Sequence, residues 1–280
     1  MTKEYCIYCD EFFDKSLMNK EHIIPKNIGG ELDFFIYVNA IKNSVLGSKI
    51  DKPYTDSNTV KLLGKDYAFT GHSKSEVPTF QNAIITDTQE LVNIFIKKNK
   101  ATVYKRKSKN SPSWKKELNQ LNGKELEING IINNEDYVRF YAKLFLATGY
   151  YLYRDVFVKN GYHNDLRTIM NSNNPEKLFN DNAVKSVIYY STLSRDPFIK
   201  VFNINENIFN GYHAIWSSIT SNGVTLGVSI FGNIALTATC KISDDPKPFD
   251  NGNMGTLILK GLKDNDRGLY IKTMRDVLNI

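Results

Sequence analysis

The chain has 280 residues, enough for one large domain or two modest ones around a real core. Its composition is that of an ordinary soluble protein, 41% hydrophobic and 24% charged, and its net charge of +6 suits a polyanionic partner without requiring one. Three cysteines, two in a tight pair and Cys240 far away, make no disulfide framework and point to a reducing cytoplasm. No apolar signal core opens the chain, and its most apolar helical stretch, Tyr137 to Val158, is interrupted by Arg139, Lys143, Arg154 and Asp155, which excludes a membrane span there.

In chain order, residues 1–58 form a first unit rich in turn chemistry: the Cys6-x-x-Cys9 knuckle, Ile28-Gly29-Gly30 and Leu46-Gly47-Ser48. A short apolar run from Leu32 to Val38 leads into a helix over Asn39–Leu46, and the expectation is two short strands and a helix. Residues 59–280 form an α+β remainder. Within it, Asn82–Thr86 and Thr102–Tyr104 read as strands, and Leu91–Lys97 as strand or helix. The tract from Lys97 to Lys116 has no acid. Asn133 and Asn134 with Glu135 and Asp136 signal a helix start, and apolar residues at three- and four-residue steps carry a long core helix to about Val158. Shorter helices are expected near Asn164–Asn171 and Pro175–Phe179. A strand from Val201, then His213–Ile219, Val224–Phe231 and Ile234–Ile242, separated by Ser221-Asn222-Gly223 and Gly232-Asn233, read as an antiparallel meander over about 199–260. Thr256–Leu259 and then Gly268–Leu278 add a strand and a closing helix that complete the chain.

Two features at the N-terminus carry chemistry. Cys6 and Cys9 have the spacing that lets two sulfurs face one metal. A redox role for the pair is disfavoured by Asp10 and Glu11, whose negative charge raises thiol pKa. In "EHIIP", Glu21 and His22 are adjacent at the end of an expected strand, so their side chains point to opposite faces. One is then suited to hold a hard divalent cation and the other to take a proton from water. The bland alternative is that His22 is a hydrogen-bonding turn residue ahead of Pro25.

The order Cys-x-x-Cys, about eleven residues, Glu-His-Ile-Ile-Pro, Gly-Gly and then a helix carrying Asn43 and ending on Gly-Ser resembles the HNH endonuclease family. The tail Leu46–Pro53 resembles the segment that follows the finger in small bacterial defence or restriction proteins of that family. The resemblance covers residues 5 to about 53 and implies an N-terminal ββα-metal finger, a nuclease domain that hydrolyses DNA. It implies His22 as general base, Glu21 and Asn43 as ligands of one Mg²⁺ or Mn²⁺, and Cys6 and Cys9 as half of a structural zinc site. Two positions depart from the pattern. Asn39 and Lys42 stand where the second cysteine pair belongs, and Tyr37 or Phe34 where the residue orienting the histidine belongs. Three explanations stay open: a finger folded without zinc on Phe12, Phe13, Phe34, Phe35 and Val38; a module that binds nucleic acid or protein without cutting; or zinc held with residues elsewhere. In the tract Lys97–Lys116, the cations Lys97, Lys98, Lys100, Lys105, Arg106, Lys107, Lys109, Lys115 and Lys116 are expected to contact phosphates, with Tyr104 and Trp114 placed to stack. The expected partners are DNA, and with it a partner protein or a second copy of the chain. His72, His163 and His213 are expected to be structural.

Overall fold

A computed structural model describes residues 2–30, 33–64, 67, 79–97, 100–105, 112–121, 126–127, 134–190, 209, 211–233, 236–263 and 266–278. The chain is mixed α and β, and every described strand pair is antiparallel. It divides into two compact units: Met1–Pro53 together with Asn134–Ile280, and Tyr54–Asn133. The division therefore differs from one at residue 58. The N-terminal segment shares its unit with the chain that resumes at Asn134.

The first unit opens with a hairpin of β1 (Lys3–Cys6) and β2 (Glu11–Asp14), whose turn carries the cysteine pair. A second pair, β3 (Met18–His22) and β4 (Phe35–Asn39), leads directly into α1 (Ala40–Leu46). Asn39 caps that helix, its side chain accepting the Lys42 N–H at 3.0 Å. The expected strands and helix are present, and the knuckle adds a strand on each side. Phe34 and Val38 are buried as expected, whereas Phe12 is 66% exposed and contributes little to the core.

Between β3 and β4 the chain turns tightly over Pro25–Gly30. The N–H groups of Ile28 and Gly30 both donate to the Pro25 carbonyl at 3.1 Å, and Gly29 has φ 97°. A Cβ on Gly30 would lie 1.7 Å from the Ile24 carbonyl oxygen, so the double glycine is a steric requirement of this turn. A π-helical turn (Gly47–Asp51) and α2 (Lys52–Thr55) follow α1.

In the second unit, α3 (Asn58–Gly64) precedes a sheet of β5 (Thr79–Ile85), β6 (Glu90–Lys97), β7 (Lys100–Lys105), β8 (Trp114–Glu117) and β9 (Leu126–Glu127), in the order β8-β7-β6-β5-β9. The Leu91–Lys97 ambiguity resolves as strand. Val92 and Ile94 alternate inward and join Ala83, Ile85, Val103 and Leu121 in the unit's core.

The first unit resumes with α4 (Asn134–Asn160), which buries Val138, Tyr141, Leu144, Phe145 and Thr148 on its core stripe. It is not one continuous helix. Arg154 sits at φ 46°, ψ −124°, and beyond this break Phe157 turns back so that its ring occupies the space a Cβ on Gly149 would need. Next come α5 (His163–Asn171), α6 (Pro175–Asn180) and β10 (Ile188–Tyr190). The meander follows as β11 (Tyr212–Thr220), β12 (Gly223–Ser229) and β13 (Thr237–Ser243), and the chain closes with β14 (Thr256–Gly261), β15 (Leu269–Thr273) and α7 (Met274–Leu278). The sheet order is β10-β13-β12-β11-β14-β15. The strand expected from Val201 lies outside the described residues. Tyr141 ties α4 to the sheet, its hydroxyl donating to the Leu236 carbonyl at 2.6 Å.

Gly30→Ala is expected to lower stability by about 2 kcal/mol, because its neighbour is rigid backbone. Gly47→Ala, where the nearest atom is 4.0 Å away and the backbone is helical, is expected to be neutral or stabilising. Urea unfolding followed by circular dichroism measures both.

Candidate functional site

The site is built where β3, α4, the π-helical turn and the cysteine knuckle meet inside the first unit. Strand alternation separates Glu21 from His22 as their adjacency requires: Glu21 is buried and His22 is half-buried. Glu21 faces inward to the ammonium of Lys143 on α4. Lys143 Nζ donates to Glu21 Oε1 and to both oxygens of Asp51, at 2.8 and 2.7 Å. The Tyr8 hydroxyl, from the knuckle, donates to Glu21 Oε1 at 3.3 Å, and Lys143 Nζ lies 5.8 Å from the Tyr8 ring centroid.

One ammonium against two carboxylates leaves net negative charge in a nearly dry place when both acids are ionised. Burial would push the Lys143 ammonium down, but Asp51 and Glu21 outweigh it and hold its pKa up. For Glu21, burial pushes the carboxyl up, Lys143 opposes this, and Asp51 adds to it, so the balance lies above the usual carboxylate value. Both described hydrogen bonds to Glu21 fall on Oε1; among the described residues none is made to Oε2.

His22 occupies the other face of β3, directly opposite Phe35 of β4, with the two ring centroids 6.4 Å apart and 63° between planes. An aromatic ring thus flanks the histidine close to where the family pattern has a polar orienting residue. Asn43, on α1, reaches β3 just ahead of Glu21. Its Nδ2 donates to Asn19 Oδ1 at 2.9 Å and to the Lys20 carbonyl at 3.4 Å. The structure brings Asn43 to the strand that carries Glu21 and His22, with no bond between Asn43 and Glu21 among the described residues.

At the knuckle, the N–H groups of Cys9 and Asp10 donate to the Cys6 carbonyl at 3.2 and 2.9 Å, and the Asn39 N–H donates to Cys6 Sγ at 3.3 Å. Burial and the neighbouring Cys6 sulfur push the Cys9 thiol up to about 12, against the Lys42 charge that pulls it down. Asn39 and Lys42 therefore do lie against the cysteine pair, but they bring an amide and a cation where thiolates would be needed. Among the described residues no three of His, Cys, Asp and Glu converge to hold a metal. Asn39 and Lys42 supply no thiolate, so among the described residues a four-ligand zinc site is not assembled here.

Side chains from α5 hold the knuckle instead. Arg167 donates from Nε to the Ile7 carbonyl and from Nη1 to Asp10 Oδ2, each at 3.1 Å. One helical turn on, Asn171 Oδ1 accepts Lys42 Nζ at 3.0 Å. The Tyr5 hydroxyl also bonds Asp10. His163 lies in the same cluster, its Nδ1 2.8 Å from Arg167 Nη2. His213 is structural as well: its Nε2 bonds the Ile28 carbonyl at 2.7 Å and its Nδ1 accepts the Phe231 N–H at 3.0 Å. Burial holds its pKa down to about 4, so it stays neutral and pins the Pro25–Gly30 turn to β11. His72 lies outside the described residues.

The basic tract is spread over β6, β7 and β8. Lys105 is paired with Glu90 of the adjacent strand β6, outside the acid-free run. Lys115 and Lys116 are exposed, and Lys116 Nζ lies 5.5 Å from the Trp114 ring centroid. The side chains of Lys97 and Lys100, and all of Lys98, Arg106, Lys107 and Lys109, lie outside the described residues. No described helix is long and apolar enough to cross a membrane.

No protein-family description, curated protein or solved structure matches this chain.

Sequence reasoning missed Lys143, Asp51, Arg167 and Tyr8 as members of the site. The one signal available was Lys143, a cation inside the apolar stripe of the core helix.

Two outcomes follow. The purified chain is expected to carry substoichiometric zinc and to keep its melting temperature in EDTA, while Arg167→Ala loses about 2 kcal/mol in urea unfolding, as suits loss of charged hydrogen bonds. A raised carboxyl pKa in the fold means the native state binds the extra proton, so stability falls as pH rises from the ordinary value of 4.5 through the raised one. Wild type is therefore expected to lose stability relative to Glu21→Gln across that window, in unfolding curves taken at stepped pH.

Proposed function

We propose that the chain is a metal-dependent nuclease of the HNH type that hydrolyses DNA phosphodiester bonds, serving restriction or defence against phage. The observation that carries this reading is a pair of buried carboxylates, Glu21 and Asp51, sharing the one ammonium of Lys143 at the strand that bears His22, with Asn43 bonded alongside the same strand. The order Cys-x-x-Cys, Glu-His-Ile-Ile-Pro, Gly-Gly and helix supports it through the family resemblance, and the succession β3–β4–α1 is compatible with a ββα finger.

Mg²⁺ or Mn²⁺ would be held at the end of β3 by the Glu21 carboxylate and the Asn43 amide oxygen, which are hard oxygen donors. A divalent ion held there supplies Lewis-acid stabilisation of the phosphate and of the leaving oxygen. Lys143 and Tyr8 hold Glu21 by Oε1 and so fix the direction of its second oxygen. His22, on the other face of β3, takes the proton of the attacking water. The Pro25–Gly30 turn, pinned by His213, fixes the chain that leaves His22.

One observation favours a second reading. The Lys143 ammonium already stands beside Glu21, and a cation supplied by the chain itself turns the finger into a module that binds nucleic acid or a partner without cutting.

Incubation of the chain with single-stranded and duplex DNA in Mg²⁺ or Mn²⁺ separates the two. The nuclease reading expects cutting that EDTA abolishes and that His22→Ala reduces by about 10²–10⁴. Binding without cutting by the wild type, or equal cutting by His22→Ala, overturns it.

A further inference from the structure

We infer that the outer face of the β3–β4 hairpin seats an unpaired DNA strand, so that the substrate is single-stranded. This deepens the proposed nuclease reading and rests on it.

Strand register places Lys20 opposite Tyr37 and His22 opposite Phe35, so all four side chains stand on one face of the hairpin. The opposite face is turned inward, with Glu21, Ile36 and Val38 buried. On the outer face, Lys20 Nζ lies 4.1 Å from the Phe35 ring centroid, which holds a positive charge flat against the aromatic surface. The Phe35 and Tyr37 rings are 5.4 Å apart and 88° between planes. A perpendicular pair spends at most one face of each ring on the contact, so Tyr37 keeps a ring face clear of Phe35. Tyr37 as a whole is 39% exposed to solvent.

An open aromatic ring and an ammonium on the same face of a hairpin are the pair of elements that single strands use: the ring stacks on a base and the cation meets the adjoining phosphate. A duplex cannot use the ring in this way, because every interior base has both faces covered by its neighbours. The committed occupant is therefore a strand whose bases are unstacked. It is argued from charge complementarity at Lys20 and from the ring geometry of Phe35 and Tyr37. A strand seated on Tyr37 and Lys20 runs along the face that bears His22, which brings its backbone to the proposed base.

The test is fluorescence anisotropy in EDTA with the full chain, comparing a labelled oligothymidylate with a blunt duplex of equal length. The oligothymidylate is expected to bind about tenfold or more tighter than the duplex. Tyr37→Ala and Tyr37→Leu are each expected to lose about tenfold on the single strand, the leucine variant because it keeps an apolar strand residue without the ring, while Tyr37→Phe retains binding. Lys20→Gln is expected to weaken binding and to reduce the salt slope by about one. Equal affinity for duplex, or unchanged binding by Tyr37→Leu, overturns the inference. The two readings fail separately. Duplex cut equally by wild type and Tyr37→Ala overturns the single-strand assignment and leaves the nuclease reading in place. Tyr37-dependent binding of the single strand with no cutting by wild type supports this inference and overturns the nuclease reading.

Discussion

The ammonium of Lys143 meets carboxylates 122 and 92 positions away in the chain, and the N-terminal segment is organised around that meeting. Removing Lys143 leaves two buried carboxylates unanswered, a cost of about 3–5 kcal/mol where such pairs are broken. The interaction is also directional. Asp51 takes two bonds, Glu21 takes one, and Tyr8 completes Glu21 from the knuckle, so a helix, a strand, a helical turn and a loop are fixed relative to one another by four polar side chains. Apolar residues of the same volume would fill the space but would not specify which oxygen of Glu21 is engaged.

The knuckle shows how hydrogen bonds from several elements can hold a tight turn. A zinc ion ties four ligands in one place and contributes folding free energy directly. Here the same turn is held by Arg167 on its carbonyl and on Asp10, by the backbone of Asn39 on the Cys6 sulfur, and by Lys42 reaching across to Asn171. These bonds are individually modest. They are sufficient because the turn belongs to a unit with a core of its own, where Ile7, Tyr8, Phe34 and Val38 are all buried.

Much of this was legible in the sequence where the physics is local. Adjacent residues on a strand must face apart, so the placement of Glu21 and His22 on opposite faces followed from their adjacency once β3 was assigned. The caps, the double glycine and the turn residues that separate the strands of the meander are likewise short-range signals. The apolar run at Leu91–Lys97 left helix and strand open, and the pairing of β6 with both neighbours decided it. The break at Arg154 was hidden, because arginine is a good helix former and Phe157 still fell in the apolar pattern. The pairing of Lys105 with Glu90 was hidden in the same way: a tract without acids borrowed one from the next strand. Lys143 was visible only as an intruder in an apolar stripe, since nothing local names partners so distant. The first boundary of the division lay within a few residues of the expected one, but the return of the chain to the first unit at Asn134 was hidden, because nothing local says that a helix belongs with a segment separated from it by a second core.

That division bears on how the protein is made. Glu21 and Asp51 are synthesised before the interposed unit, and Lys143, Arg167 and Asn171 after it. A nascent chain leaving the ribosome at residue 60 holds the whole recognisable motif yet neither its counter-ion nor its clamp. The order of synthesis thus delays completion of the N-terminal polar cluster until the long helix emerges, while the interposed segment has its own core at hand. The same ordering makes the motif a poor candidate for shuffling between genes: a cassette that ends near the motif's own boundary would carry the two buried acids away from the lysine that makes them tolerable.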